Sequence, residues 1–324
     1  MRYFVILFAA GLACGQATQD RTFRFRNAAM DQDFQDLATA AVVASGLKAK
    51  SIDAGLRELS MSGPAEQLRV AEWVIAELDR PASPTPPASS ILTLQTTEPD
   101  NTVRVFYPSK ITSDQDFAEV VTGILTIGDL RYVARYTSHR ALVIRANREG
   151  IDLVEWLLTE MNLDSPQQTY VFPKSGPEVQ RGENYVRLFR FPRAKDAQQF
   201  NEAQTMIRTL TDTRRVYPYI SKRVIFLRGT EEQIDMSRWV LAQIDKELPL
   251  AQKSNSSDYT TKAGDVMRMF YFSAAMPLQT FQETQTAIRK ATEVRRTYPY
   301  ASVRTLAMRG TAAQIAQAAA LAAQ

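Results

Sequence analysis

The stretch Arg214-Arg215-Val216-Tyr217-Pro218-Tyr219, followed by Arg228-Gly229-Thr230, returns as Arg295-Arg296-Thr297-Tyr298-Pro299-Tyr300 and Arg309-Gly310-Thr311. A looser version, Arg131-Tyr132-Val133-Ala134-Arg135-Tyr136, stands one step earlier in the chain. Working outward from these strings, other columns keep the same period. Trp73, Trp156 and Trp239 are spaced by 83 residues, and Phe34, Phe117, Phe200 and Phe281 by 83, 83 and 81. Gly63, Ala146, Gly229 and Gly310 keep those intervals, and so do Arg21, Arg104, Arg187 and Arg268. Self-similarity of this kind is the mark of a tandem array, here of four units.

Within one unit the hydrophobic period changes in a readable order. Val103 to Tyr107 alternates apolar and polar residues, as a half-buried strand does. Phe117, Val120, Val121, Ile124 and Leu125 then follow the spacing of an amphipathic helix. Arg131–Tyr136 and Ala141–Arg145 read as two strands joined by a turn at Thr137-Ser138-His139-Arg140, and Asp152–Met161 as a second helix. Thr230 with Gln233, and Thr311 with Gln314, have capping-box spacing; Asn147 can cap in the second unit, and Pro64 suits a first helical position in the first. The fold class is therefore α+β: four small βαββα modules, each with two helices on a three-stranded sheet.

Composition shifts mark the boundaries. Residues 1–17 read as a signal peptide, 21–80 as module 1, 102–164 as module 2, 185–246 as module 3 and 265–324 as module 4. The linkers are 81–101, which opens with the Pro/Ser-rich PASPTPPASS, then 165–184 and 247–264. At the N-terminus, Arg2 precedes the apolar run Tyr3–Leu12 and small residues at Ala13, Gly15 and Ala17, which is the pattern of an export signal. Cys14, the only cysteine, is a candidate for lipidation, although Gly11 stands where a lipoprotein signal has leucine.

The strings from Leu227 to Asp245 (RGT-x-x-Q-I, then W-V-L-A-Q-I-D) and from Gly63 to Asp79 (G-P-A-E-Q-L, then A-E-W-V-I-A-E-L-D) resemble the N-terminal ring-building domains of bacterial secretins. That resemblance, to KH-like domains of the NolW type, extends over all four modules. It implies periplasmic rings, lateral association and binding to secretion or pilus components. It does not extend to a pore domain.

Chemistry has few carriers. His139, the sole histidine, lies in the predicted strand–strand turn, and the same column holds Lys222 and Val303 in later copies. One histidine and one cysteine leave little for a nitrogen/sulfur metal site, so no cofactor, metal or catalytic residue is expected. The pairs Asp114/Asp116 and Glu231/Glu232 sit at helix starts, where the dipole favours carboxylates. The KH-like topology raises nucleic-acid binding, but no unit carries the GXXG loop that clamps a nucleotide backbone.

Two sets of residues are left as candidates. Arg214, Arg215, Tyr217, Tyr219, Arg295, Arg296, Tyr298 and Tyr300 form basic, aromatic strands that fit a partner contact, a polyanion or a plain solvated face. Trp73, Trp156 and Trp239 fall off the apolar face of the second helix, which fits packing on the adjoining module or connector; the fourth copy has Ala320 there. The expectation is a non-enzymatic, exported scaffold of the cell envelope that associates with itself or with a secretion or pilus-type protein. The alternative is an exported polyanion- or peptidoglycan-binding protein using the Arg/Tyr faces. Whether the modules touch or hang from their spacers stays open at this point.

Overall fold

The computed structural model describes residues 17–81, 87–96, 98–111, 113–163, 168–171, 182–246, 254–255 and 257–323. Residues 1–16 of the expected signal peptide, Cys14 among them, and residues 82–86 of PASPTPPASS lie outside the described residues. Module 1 is β1 (Thr18–Arg24), α1 (Asp31–Ser45), β2 (Ala49–Asp53), β3 (Glu58–Pro64) and α2 (Ala65–Leu78). The first connector carries β4 (Ser90–Thr93). Module 2 is β5 (Thr102–Phe106), α3 (Asp114–Gly128), β6 (Tyr132–Tyr136), β7 (Ala141–Ala146) and α4 (Arg148–Met161). After β8 (Thr169–Val171), module 3 is β9 (Tyr185–Arg190), α5 (Ala197–Thr211), β10 (Arg215–Tyr219), β11 (Val224–Gly229) and α6 (Glu231–Ile244). After β12 (Ser254–Asn255) and β13 (Tyr259–Thr260), module 4 is β14 (Val266–Tyr271), α7 (Leu278–Thr292), β15 (Arg296–Tyr300), β16 (Thr305–Gly310) and α8 (Ala312–Ala323). Four βαββα modules are present.

In every sheet the module's third strand lies between its first and second, as in β1-β3-β2. Only module 1 has the three strands expected. The connectors are more than spacers, because each adds an edge strand to the sheet that follows: β4 pairs with β5, β8 with β9, and β12 and β13 with β14. Backbone pairing satisfies peptide groups that would otherwise stay open at an edge, and two to four residues suffice for it.

Local chemistry explains the helix starts. Asn147 accepts from Gly150 N at 2.8 Å. Thr230 and Gln233 form the reciprocal capping box, at 3.2 and 2.8 Å. Pro64 is a correction: it ends β3 and occupies the N-cap position, one residue earlier than expected. One column escaped the sequence reading. Arg57, Arg140, Arg223 and Arg304 all close the β-turn in the left-handed region, with φ of 55, 47, 54 and 52°. That conformation disfavours residues with a Cβ by roughly 1–2 kcal/mol. Here it aims the carbonyls of Arg57, Arg223 and Arg304 at the N–H of Phe25, Phe191 and Phe272, each 2.9 Å away.

The described chain divides into two compact units, one ending at Tyr107 but including Tyr132–Arg145, the other made of Pro108–Arg131 and everything from Ala146. The division runs inside module 2. In the first unit a single apolar cluster joins Phe34, Leu37, Ala40 and Val74 of module 1 to Val103, Val105, Tyr136 and Val143 of the next sheet. In the second unit, alternate residues of β14 serve two cores. Met267, Met269 and Tyr271 pack with Met206, Leu210 and Val240 of module 3. Val266, Phe270 and Phe272 pack with Phe281, Ile288 and Ile315 of module 4. A strand buried on both faces needs a continuous apolar run, and β7 and β11 are buried at every position. β3 alternates instead, with Leu59 and Met61 inside and Ser60 and Ser62 outside.

Candidate functional site

Six of the residues singled out by sequence, Arg215, Tyr217, Tyr219, Arg296, Tyr298 and Tyr300, belong to one kind of structure: a junction between the first helix of a module and the sheet of the next. It occurs once in the first unit and twice in the second. At one end of each junction an arginine from the third strand reaches carbonyls at the helix C-terminus. Arg145 donates to Ala44 O and Ser45 O at 3.3 and 3.0 Å, Arg228 to Ile127 O at 3.0 Å, and Arg309 to Leu210 O at 3.0 Å. The last turn of a helix has carbonyls without intrahelical donors and carries the negative end of the dipole, so a cation there is doubly favoured. Arg145 and Arg228 are almost wholly buried; Arg145 also donates to Asp100 O and to the Glu98 carboxylate, and Arg228 to Glu183 O.

At the other end, the second strand delivers a tyrosine and a turn to the helix N-terminus. Tyr219 donates its hydroxyl to the buried Asp116 carboxylate, and Lys222 lies 3.5 Å from that group. Asp116 thus bonds across the junction, and is more than the capping and solubilising charge that its position suggested. Ser221 N and Oγ donate to Glu119 at 3.1 and 3.0 Å, and Ser302 N donates to Glu202 at 3.4 Å. In the first unit Thr137 N donates to Asp36 at 3.0 Å, and Ser138 donates to Asp33. Burial pushes the hydroxyls of Tyr136, Tyr219 and Tyr300 well above the usual tyrosine range, and the facing acids Asp33, Asp116 and Glu202 push the same way.

A third contact uses the residue that caps the helix C-terminus. Asp129 and Asp212 sit there in the left-handed conformation. Arg215 donates to Asp129 at 2.6 Å, and Arg296 to Asp212 at 3.0 Å. Shape completes the fit: a Cβ at Gly123 would overlap the Phe226 ring.

Arg215, Tyr217, Tyr219, Arg296, Tyr298 and Tyr300 therefore face their own chain. The preceding helix thus shares the strands that the sequence offers as a partner or polyanion surface; β15 is only partly buried, and the Arg296 side chain keeps 43% exposure. Arg214 and Arg295 alone in that set are exposed. The sequence reading did not single out Arg145 or Tyr136, although both share the columns of Arg228 and Tyr219.

The tryptophans meet the connector strands. Trp156 lies 5.4 Å from Tyr170 of β8, and Trp239 lies 6.0 Å from Tyr259 of β13, centroid to centroid. Trp73 packs on the cluster that also takes Leu92 of β4. Those three connector residues are equivalent by register: Leu92, Tyr170 and Tyr259 lie opposite Val103, Val186 and Met267. The terminal aspartates of the two family-like strings have a local role. Asp79 accepts from Arg26 N and Asn27 N at 2.6 and 2.8 Å, and Asp245 accepts from Arg193 N at 3.0 Å.

His139 stacks on Tyr136 with centroids 4.5 Å apart. Among the described residues no three His, Cys, Asp or Glu side chains are grouped to hold a metal ion. No helix among them is long and apolar enough to cross a membrane.

No family model matches the chain, and no curated protein matches it. Among solved structures, ExeD of Aeromonas hydrophila is similar at 12% identity over 71% of this chain and 42% of its own, with a TM-score of 0.16. GspD in the pilotin–secretin AspS–GspD complex of ETEC is similar at 13% identity over 94% of this chain and 55% of its own, with a TM-score of 0.18. The chain thus spans about half the length of these proteins.

Proposed function

We propose that this protein is a non-enzymatic, exported scaffold of the cell envelope, which assembles with itself or with a secretion or pilus-type partner. The observation that carries this reading is the repeated junction. Six of the eight side chains that could have formed a ligand site are used instead to fix the sheets of modules 3 and 4 against the helix before each. Buried arginines with carbonyl partners and buried tyrosines with carboxylate partners leave adjoining elements little freedom, and that suits a presenting framework. The N-terminal signal pattern supplies the envelope location.

The rival, polyanion or peptidoglycan binding, needs free Arg/Tyr strands, and six of those eight side chains are committed to junctions. Size-exclusion chromatography with light scattering on the mature chain, repeated across salt, separates the two. A discrete assembly that persists at high salt supports the scaffold. A monomer that binds heparin or peptidoglycan fragments with steep salt dependence overturns it.

A further inference from the structure

Module 4 repeats the helix side of the junction, and no sheet among the described residues lies upon it. In α7, Glu283 occupies the column of Asp36, Glu119 and Glu202, and Glu293 occupies that of Gly46, Asp129 and Asp212. Glu293 even keeps the left-handed conformation, with φ of 53°. A carboxylate beside the C-terminal carbonyls opposes the helix dipole, and glutamate in that conformation is strained by about 1–2 kcal/mol. Asp129 and Asp212 offset this cost through Arg215 and Arg296. Glu293 is exposed and has no ion pair among the described residues. Between the two glutamates, Ala287 and Ala291 are exposed, whereas Met206 and Leu210 in the same columns of α5 are fully buried.

We infer that this face of α7 is the acceptor for a further βαββα module, one outside residues 1–323. The three junctions define the partner's chemistry. It brings a second-strand tyrosine, with an arginine nine residues on in the third strand, as in Tyr136/Arg145, Tyr219/Arg228 and Tyr300/Arg309. In the two junctions of the second unit, a further arginine stands four residues before the tyrosine. Glu293 takes that arginine, the carbonyl of Ala291 takes the later one, and Glu283 takes the turn N–H.

A second copy of this chain does not fit through its first module. The equivalent columns there are Ala49, Asp53 and Ser62, on a polar face where Thr22 bonds Ser60 and Lys50 pairs with Asp20. The inference deepens the assembly reading, on which it rests, by naming the surface and the partner.

The test places a benzophenone side chain at Ala287 of the full chain in cells of the native organism, followed by identification of the cross-linked peptide. The expected product is a peptide from outside residues 1–323, with tyrosine and arginine at that nine-residue spacing in a βαββα module. Replacing Glu283→Lys with Glu293→Lys in the cross-linking chain, with its melting unchanged, lowers the yield by about tenfold or more. No adduct, an adduct to a second copy, or an adduct to a protein without such a module overturns the inference. So does a yield that is indifferent to the charge reversal. The light-scattering result does not depend on Ala287, so an assembly seen there with no such adduct would reject this surface and keep the scaffold.

Discussion

Arg228 donates from Nη1 to the carbonyl oxygen of Ile127, 3.0 Å away across 101 residues of sequence. One buried guanidinium thereby closes a helix of one module with a strand of the next. Removing it leaves a helix terminus without its donor and empties a buried site. Arg228→Ala is expected to cost about 2–4 kcal/mol in urea unfolding. Ser62 stands in the same column and is exposed, so Ser62→Ala should change stability by less than about 0.5 kcal/mol. Equal effects at the two sites would mean that the arginine does not close the junction.

The tyrosine hydroxyls predict an alkaline limit. Burial raises Tyr136, Tyr219, Tyr271 and Tyr300, with nearby acids adding to the effect for the first, second and fourth. Tyrosine is neutral while protonated, so a raised native value means that the folded chain holds its proton longer than the unfolded one. The associated stability is complete below the unfolded value of about 10 and is lost as pH rises through the native values. The urea midpoint should be flat from about pH 7 to 9 and then fall, with a shallower fall in Tyr300→Phe. A fall no shallower in Tyr300→Phe than in the parent chain would contradict this.

The repeat, the element order and the capping residues were legible because each follows from local periodicity. The third-strand runs carry a further signal. Ala141-Leu142-Val143-Ile144 and Val224-Ile225-Phe226-Leu227 are unbroken, whereas Leu59 and Met61 alternate with serines. Unbroken strands need cover on both faces, and in modules 3 and 4 that second cover is the preceding module. The Arg/Tyr strands were found as residues but not assigned to their own chain, because their partners are largely backbone carbonyls and acids on a helix. A carbonyl acceptor leaves no residue signature. The connector strands were missed because two to four residues are too few to show a period.

Trp239 bears on the connector. Its ring covers Tyr259, which holds β13 on the edge of β14. Trp239→Ala removes a large half-buried side chain and should cost about 2–3 kcal/mol. The effect should be local, so hydrogen exchange should quicken first at Tyr259–Thr260 and at Val266–Met267. Unchanged melting with unchanged exchange would show that the connector strand pairs without the tryptophan.

The sharpest test of the junction exploits its shape. Gly123 faces Phe226 in one junction of the second unit. The same two columns in the next junction hold Met206 and Ala307, both fully buried in one cluster, so large and small have changed sides. Phe226→Ala alone should lose about 3–5 kcal/mol through the cavity it leaves. Gly123→Met alone should lose about 1–3 kcal/mol through overpacking, partly offset because glycine is a poor helix former. Combined, the two reproduce the Met206/Ala307 pairing, and the loss should fall short of the sum by at least about 1 kcal/mol. A double-mutant cycle in urea measures that coupling. Strict additivity would mean that the helix and the strand do not share a packed surface, and the junction would lose its shape argument.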